Sequence, residues 1–232
     1  MPTVDVRGLR MYYEITGEGE PLVLINGLGL AVSETRRLVE ALARHHRVLA
    51  FDNRGAGRTD KPDEPYSIPQ MAGDTAALMH ALEFEPAHVV GISLGGRIAL
   101  DLALDHPELV RRVVLASTCA RVISRRRVRL LGLISRLPLL RGDNPQPRYA
   151  FNRQRRASDG YDRTPRLADL KSPTLVIHGR RDHIVAHQLA EELAAGVPGA
   201  RLLTVAGGHI FPLTHPVAFV DHIVAFSRAR DR

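Results

Sequence analysis

The sequence holds a single cysteine and no long apolar segment. Cys119 has no partner for an internal disulfide, which agrees with a reducing compartment. No stretch approaches the roughly 20 apolar residues that a membrane span requires. Residues 1–19 alternate charged and apolar side chains and lack the continuous apolar core of a signal peptide. We therefore expect a soluble, cytoplasmic protein.

Motifs for metals, nucleotides and nucleic acids are missing as well. The sequence has no H-E-x-x-H, cysteine pair or acidic cluster for a metal, and no G-x-G-x-x-G after a strand for a dinucleotide. Lysine is scarce, and the formal charge of +7 comes almost entirely from arginine, a bias that GC-rich codon usage also produces. With 5% aromatic residues and no basic module that interleaves them, we expect no nucleic-acid partner, and no metal or cofactor.

What is present suits one α/β domain of 232 residues, 44% of them apolar. Short apolar runs predict strands buried on both faces, with helical patterns between several of them. This alternation predicts a mostly parallel, twisted sheet of about eight strands with helices on both faces, preceded by an antiparallel hairpin of 3–6 and 10–15 that turns at Gly8. The predicted parallel strands include residues 22–25, 48–51, 89–92, 113–116 and 174–177.

The alternation breaks after Ser117, which predicts an insertion at 119–166 into a core formed by 1–118 and 167–232. We expect a short helical cap, with Val128, Leu131 and Ile134 near one helical face and a loop over 142–166. Residues 121–166 contain 13 arginines and three acidic residues, so this segment carries the positive charge of the chain.

A serine lies between two glycines where one predicted strand becomes a helix. Residues 91–95 read G-I-S-L-G, which matches G-x-S-x-G in its strand–turn–helix setting. So sharp a turn strains the backbone at Ser93 and brings neighbouring chain close, which favours glycine at Gly91 and Gly95. The following helix points its first N–H groups towards any oxyanion formed at Ser93. A strand–helix turn that happens to contain serine is the alternative.

A serine hydroxyl needs a base and an orienting carboxylate to act as a nucleophile, and in this setting they follow in the order Ser, Asp or Glu, His. Asp182 lies five residues beyond the strand at 174–177, and His209 follows the next apolar run and two glycines. Asp182 as a helix cap, or as a salt-bridge partner of a neighbouring arginine, is the competing interpretation.

The other histidines lack that setting. We interpret His45, His46, His80 and His106 as solvated surface groups on helices or helix ends. His178 lies at a strand end just before Gly179. His183, His187, His215 and His222 do not follow a strand and a glycine.

These residues give the chain a resemblance to the α/β-hydrolase superfamily, in particular to its small esterase, enol-lactonase and cofactor-free haloperoxidase-like branch. The resemblance covers nearly the whole chain. It is carried by LVLINGLG (22–29), FDNRGAGRTDKP (51–62), VVGISLGG (89–96), PTLVIHGRRD (173–182) and GGHIFPLTHP (207–216).

The resemblance implies that Ser93 is the nucleophile, Asp182 the acid and His209 the base. It also implies an oxyanion hole formed by the backbone N–H groups of Leu28 and Leu94. Here the chain departs from the common pattern, because Asn26 stands where His-Gly is usual. We interpret residues 51–62 as scaffold, since Asp52 can cap a turn and Gly55 and Gly57 permit tight backbone.

We therefore predict hydrolysis of a small carboxylic ester or lactone through an acyl-enzyme. Thioester hydrolysis, carbon–carbon bond hydrolysis and perhydrolysis use the same scaffold and stay open, as does a non-catalytic binding protein. Ser93 argues against dehalogenase or epoxide hydrolase activity, because the resemblance implies that those relatives need an aspartate at this position. The arginines of the insertion, such as Arg125, Arg126 and Arg127, favour an anionic substrate if they face inward; otherwise they face water or an anionic membrane surface.

Overall fold

The computed structural model describes residues 2–122 and 146–229. Within these residues a single eight-stranded sheet has the order β1-β2-β4-β3-β5-β6-β7-β8. The strands are β1 Thr3–Val6, β2 Leu9–Thr16, β3 Pro21–Ile25, β4 Arg47–Phe51, β5 Ala87–Ile92, β6 Val110–Ala116, β7 Thr174–Gly179 and β8 Arg201–Val205.

The directions of the strands confirm the predicted mixed sheet. The pairs β1/β2 and β2/β4 are antiparallel, whereas every pair from β4 through β3 to β8 is parallel. The hairpin turns at Arg7 (φ +52°) and Gly8 (φ +74°). Two consecutive residues at positive φ form the kind of two-residue turn whose twist matches that of the flanking strands.

Helices cover both faces of the sheet, as predicted. They are α1 Arg36–Ala43, α2 Ile68–Ala81, α3 Leu94–Asp105, α4 Arg148–Arg156, α5 His187–Gly196, α6 Phe211–Thr214 and α7 Pro216–Ser227. One apolar core joins α2, α3 and α5 to the first face. A second core joins α1 and α7 to the other. None of the helices in the described residues is long and apolar enough to cross a bilayer.

The loop predicted at 142–166 is wrong in part, because helix α4 lies within it. Ala150 and Gln154 are buried on this helix and Ala157 follows it one turn later, so one face packs inward at a spacing of three to four residues. A buried polar residue on that face hid the pattern in the sequence. The helix predicted around Val128, Leu131 and Ile134 lies outside the described residues, and the cap boundaries stay a prediction.

His46, predicted to be a solvated surface group, is instead buried. Only 2% of the residue is exposed, and its Nε2 lies 3.1 Å from Ser227 Oγ at the end of α7. The end of that helix therefore contacts the residue that precedes β4, across 181 residues of chain. Burial is the main reason that the pKa of His46 falls to about 4, and the neighbouring His88 lowers it further.

Candidate active site

Ser93 occupies a strained turn between β5 and α3. Its backbone has φ +55° and ψ −112°, a conformation that an L-residue adopts only when the surrounding structure holds it. Two contacts with the end of β6 supply that hold: the Ser93 N–H donates to the Ala116 carbonyl at 2.9 Å, and the Thr118 hydroxyl donates to the Ser93 carbonyl at 2.8 Å. The turn presents the Ser93 side chain at the carboxyl end of the sheet.

The two flanking glycines are required by close backbone contacts. A Cβ atom on Gly91 would collide with the carbonyl oxygen of Gly95, and one on Gly95 would collide with the carbonyl oxygen of Ile25. Both obstacles are backbone atoms, which no rotamer change removes. The first turn of α3 therefore sits directly against the end of β3, as the G-x-S-x-G pattern predicts.

His209 and Asp182 approach Ser93 from the loops after β8 and β7. His209 Nε2 lies 2.9 Å from Ser93 Oγ, and His209 Nδ1 lies 2.8 Å from Asp182 Oδ2. An ionised carboxylate only accepts hydrogen bonds, so it fixes the imidazole proton on Nδ1 and leaves Nε2 free to accept from the serine hydroxyl. All three side chains singled out in the sequence meet within hydrogen-bonding distance.

Asp182 is buried and is held in its ionised form. Burial by itself raises its pKa, but hydrogen bonds from His178 and His209 outweigh that effect and hold the pKa of Asp182 well below its usual range. The second oxygen, Oδ1, accepts the backbone N–H groups of Ile184 at 2.8 Å and Val185 at 2.9 Å. The carboxylate thus keeps one oxygen for its own loop and one for the imidazoles.

His178 also contacts Asp182, a contact that the sequence pattern did not predict. Its side chain is fully buried, with Nε2 3.3 Å from Asp182 Oδ2 and 3.0 Å from the Val185 carbonyl oxygen. Both acceptors require the proton on Nε2. The available signal was its position at the end of a strand, four residues before Asp182, where its side chain reaches the same loop.

The loop after β3 carries the predicted oxyanion donor, Leu28. Each of the next four N–H groups has an acceptor: Gly29 donates to Gln154 Oε1, Leu30 to the Gly27 carbonyl, Ala31 to Glu34 Oε2 and Val32 to Asp52 Oδ1. The Leu28 N–H has no acceptor among the residues that the structure describes.

The same loop lies beside the serine, since a Cβ atom on Gly27 would be 3.5 Å from Ser93 Cβ. Leu94, the other predicted donor, is the first residue of α3. The first N–H groups of a helix have no acceptor within the helix. The loop after β3 and the start of α3 thus both border Ser93, and the role of their N–H groups as oxyanion donors stays a prediction.

Asn26 and Asp52 anchor this loop through hydrogen bonds. Asn26 is fully buried, donates from Nδ2 to Thr35 Oγ1 at 3.1 Å, and accepts from Asn53 Nδ2 at its backbone carbonyl. Asp52 joins Val32 N, at 2.7 Å, to Arg58 N, at 2.8 Å. The departure at Asn26 therefore places a structural amide at the base of the loop.

The described residues hold no group of three or more His, Cys, Asp or Glu side chains placed to bind a metal ion. What they assemble is a hydroxyl within hydrogen-bonding distance of an imidazole, and a buried carboxylate behind that imidazole. This arrangement is suited to nucleophilic attack on a carbonyl carbon.

Comparison with known proteins identifies the family of the chain. The family model described as "alpha/beta hydrolase fold" matches residues 20–150 and 138–216. The chain therefore belongs to the α/β hydrolase family.

Three relatives illustrate the range. The protein named "Putative carbamate hydrolase RutD" of Azorhizobium caulinodans is 31% identical, with 97% of this chain and 98% of that protein aligned. The enol-lactonase from Burkholderia xenovorans LB400 superposes with a TM-score of 0.87 at 30% identity, over 98% of this chain and 100% of that one. Est816, described as an N-acyl homoserine lactone degrading enzyme, gives a TM-score of 0.86 at 27% identity, over 97% and 100%.

Proposed function

We propose that this protein hydrolyses small carboxylic esters or lactones, with Ser93 as nucleophile, His209 as general base and acid, and Asp182 as the orienting carboxylate. The observation that carries the proposal is the unbroken path Asp182–His209–Ser93, with hydrogen-bond distances of 2.8 and 2.9 Å, that ends on a strained turn. Backbone strain at a non-glycine residue clusters at active sites, where the surrounding structure holds it.

In the proposed reaction His209 Nε2 takes the proton of Ser93 as Oγ forms a bond to the substrate carbonyl carbon. The N–H groups of Leu28 and Leu94 stabilise the tetrahedral oxyanion, and each such donor contributes about 3 kcal/mol to the barrier reduction. His209 then returns the proton to the departing alkoxide, and the alcohol leaves an acyl group on Ser93. A water molecule, deprotonated by His209, hydrolyses that ester and restores the hydroxyl; in a lactone, alcohol and acid leave as one molecule.

Labelling with a fluorophosphonate tests this proposal directly, because the reagent phosphonylates only an activated serine. We expect stoichiometric labelling of the wild-type protein and none of Ser93→Ala or His209→Ala. Ser67→Ala is the matched control, because Ser67 contacts Gln70 rather than a histidine. A wild-type protein that stays unlabelled, or a Ser93→Ala variant with full esterase activity, would reject the proposal in favour of a binding protein or another nucleophile.

Carbamate hydrolysis is a second candidate, favoured by the RutD relative that aligns over nearly the whole chain. The same attack on a carbamate gives a carbamoyl-Ser93, whose nitrogen lone pair slows the second, hydrolytic step. A panel of p-nitrophenyl acetate, p-nitrophenyl butyrate, γ-butyrolactone, an acyl-CoA and p-nitrophenyl carbamate separates the two. A burst of p-nitrophenol followed by slow turnover on the carbamate, beside rapid turnover of the acetate, supports the ester or lactone assignment.

We also propose that residues 119–166 form a cap and that its arginines favour anionic substrates. The described part of this segment contacts the core at several points, including the Gln154–Gly29 and Tyr149–Lys61 hydrogen bonds. Arg125, Arg126 and Arg127 lie outside the described residues. Reversing their charge should raise KM for a carboxylate-bearing ester more than for its neutral methyl ester; equal changes would leave these arginines with no role in selectivity.

A further inference from the structure

Gln154 links helix α4 to the two loops that follow β3 and β4. The residue is fully buried, and both ends of its amide are used. Oε1 accepts the Gly29 N–H at 3.1 Å and an N–H of Gln146 at 3.0 Å, while Nε2 donates to the Arg54 carbonyl at 2.7 Å. An N–H on one side and a carbonyl on the other fix which end of the amide is oxygen.

The bond to Gly29 reaches the loop after β3, whose other described hydrogen bonds come from residues of the core segment. Ala31 and Val32 are tied to Glu34 and Asp52, and both of these acids belong to the core segment. Among the described residues, Gln154 makes the hydrogen bond that reaches this loop from beyond β6. It also lies 125 residues from Gly29 along the chain, so the bond forms only when α4 is docked.

The bond lies one peptide group away from the predicted oxyanion donor, Leu28. Gly29 has φ +74° and occupies a turn closed by the Leu30 N–H on the Gly27 carbonyl. The peptide group that Gln154 orients joins Leu28 to Gly29, and the next peptide group upstream bears the Leu28 N–H. A rotation at Leu28 would move that donor away from Ser93, and Gln154 opposes it by holding the adjoining N–H.

We propose that Gln154 is a positioning residue for the oxyanion donor: docking of α4 completes the loop by fixing Gly29, and thereby aims the Leu28 N–H at the reacting carbonyl. The inference rests on the proposed function. Since the oxyanion exists only in the transition state, losing this alignment lowers kcat and leaves KM largely unchanged.

The test compares Gln154→Met with Tyr149→Phe. Methionine fills the same volume without a hydrogen bond to Gly29 or Arg54. Tyr149→Phe removes one hydrogen bond, 2.8 Å long, between the same helix and the Lys61 carbonyl, so it reports on docking of the helix without touching the loop. With p-nitrophenyl acetate we expect kcat of Gln154→Met to fall by about tenfold or more, a fraction of the 10²–10³ that loss of a whole donor costs, with KM within about twofold.

Phenylboronic acid supplies a readout that a merely structural role would not change. Its tetrahedral adduct with Ser93 places a boron hydroxyl near the oxyanion donors, so its Ki should rise in Gln154→Met by about the factor that kcat/KM falls. Acetate, a planar product, should inhibit both variants and the wild type alike. Tyr149→Phe should match the wild type in kcat and in boronate affinity.

Unchanged kcat and boronate affinity in a folded Gln154→Met variant would overturn the inference, as would equal losses in Tyr149→Phe. Should Gln154→Met fail to fold by circular dichroism, Gln154→Asn gives the same comparison, since its amide is one methylene too short to reach Gly29. Failure of the proposed function is distinguishable, because it appears as a wild-type protein that fluorophosphonate leaves unlabelled or as an active Ser93→Ala variant, whatever Gln154 does.

Discussion

Buried histidines occupy both ends of the sheet, but their partners differ. At the carboxyl end His209 is 12% exposed and is backed by Asp182, whose side chain has no exposure at all. At the amino end the rings of His46 and His88 pack edge to face with centroids 5.9 Å apart. His88 Nε2 reaches Glu20 at 3.3 Å, and that carboxylate is 56% exposed.

The comparison separates what burial does from what a carboxylate does. At the amino end burial dominates: it lowers the pKa of His88 despite Glu20, and it lowers that of His46 to about 4. These imidazoles are neutral, and the Ser227 hydroxyl beside His46 donates its proton to the Val224 carbonyl of its own helix at 3.1 Å. In the proposed reaction, the buried, ionised carboxylate at the carboxyl end orients the His209 ring and offsets the positive charge that the ring gains in the transition state. An unprotonated imidazole is therefore not sufficient for a general base. The histidine also needs a paired carboxylate and access to solvent.

The largest expected effect comes from removing the charge behind His209. Asp182→Asn should lower kcat by about 10³–10⁴-fold, because the amide can donate to the imidazole and stabilise the tautomer with its proton on Nε2. Steady-state kinetics with p-nitrophenyl acetate measure this change, with the exposed Asp221→Asn on α7 as control. A loss of less than tenfold would mean that the carboxylate is not what distinguishes the two ends.

The histidine pair at the amino end, His46 and His88, should affect the stability of the protein in acid and not its activity. Unfolded His46 takes up a proton near pH 6.5, whereas the folded protein resists it until about pH 4. Protons then bind preferentially to the unfolded chain, so the free energy of unfolding falls as the pH drops through that window, by on the order of 2–3 kcal/mol. Above pH 6.5 this contribution is fully present.

Urea unfolding at pH 7.5 and pH 4.5 measures that slope. His46→Gln retains a partner for Ser227 and carries no titrating group, so the loss between the two pH values should shrink by the same amount. An identical slope in the variant would assign the acid sensitivity to other groups.

A smaller effect is expected at His178, the second imidazole on Asp182. His178→Leu removes a donor to the buried carboxylate and should let it shift away from His209, which lowers kcat by about tenfold. Its fluorophosphonate labelling rate should fall in parallel. Normal kinetics in this variant would show that the two loop N–H groups and His209 alone fix the carboxylate.

The smallest effect is expected at Glu20. Glu20→Gln removes the exposed partner of His88 and should change the free energy of unfolding by less than about 1 kcal/mol, with kcat unchanged. Chemical denaturation at pH 7.5 checks this value. A loss of several kcal/mol would contradict the view that burial, and not this ion pair, controls the amino end.

The features that the sequence predicts depend on local patterns, whereas those it does not predict depend on contacts between residues far apart in the chain. Ser93, Asp182 and His209 each follow a strand, and the carboxyl ends of parallel strands share one edge, so local patterns suffice to bring them together. The burial of His46 depends on α7, and the role of Gln154 depends on a loop 125 residues away. Neither long-range contact leaves a periodic signal, and a glutamine on the buried face of α4 weakens the one that the helix has.

The position of the segment between β6 and β7 has a consequence for engineering. Ser93 follows β5 and Asp182 follows β7, so the ladder through β6 sets their separation at about two interstrand spacings, close to 10 Å. Grafting a different segment between β6 and β7 would leave that separation intact. A graft library for new substrate scope should therefore retain the geometry of the proposed triad, provided each graft keeps Thr118, which holds the Ser93 carbonyl, and supplies an acceptor for the Gly29 amide.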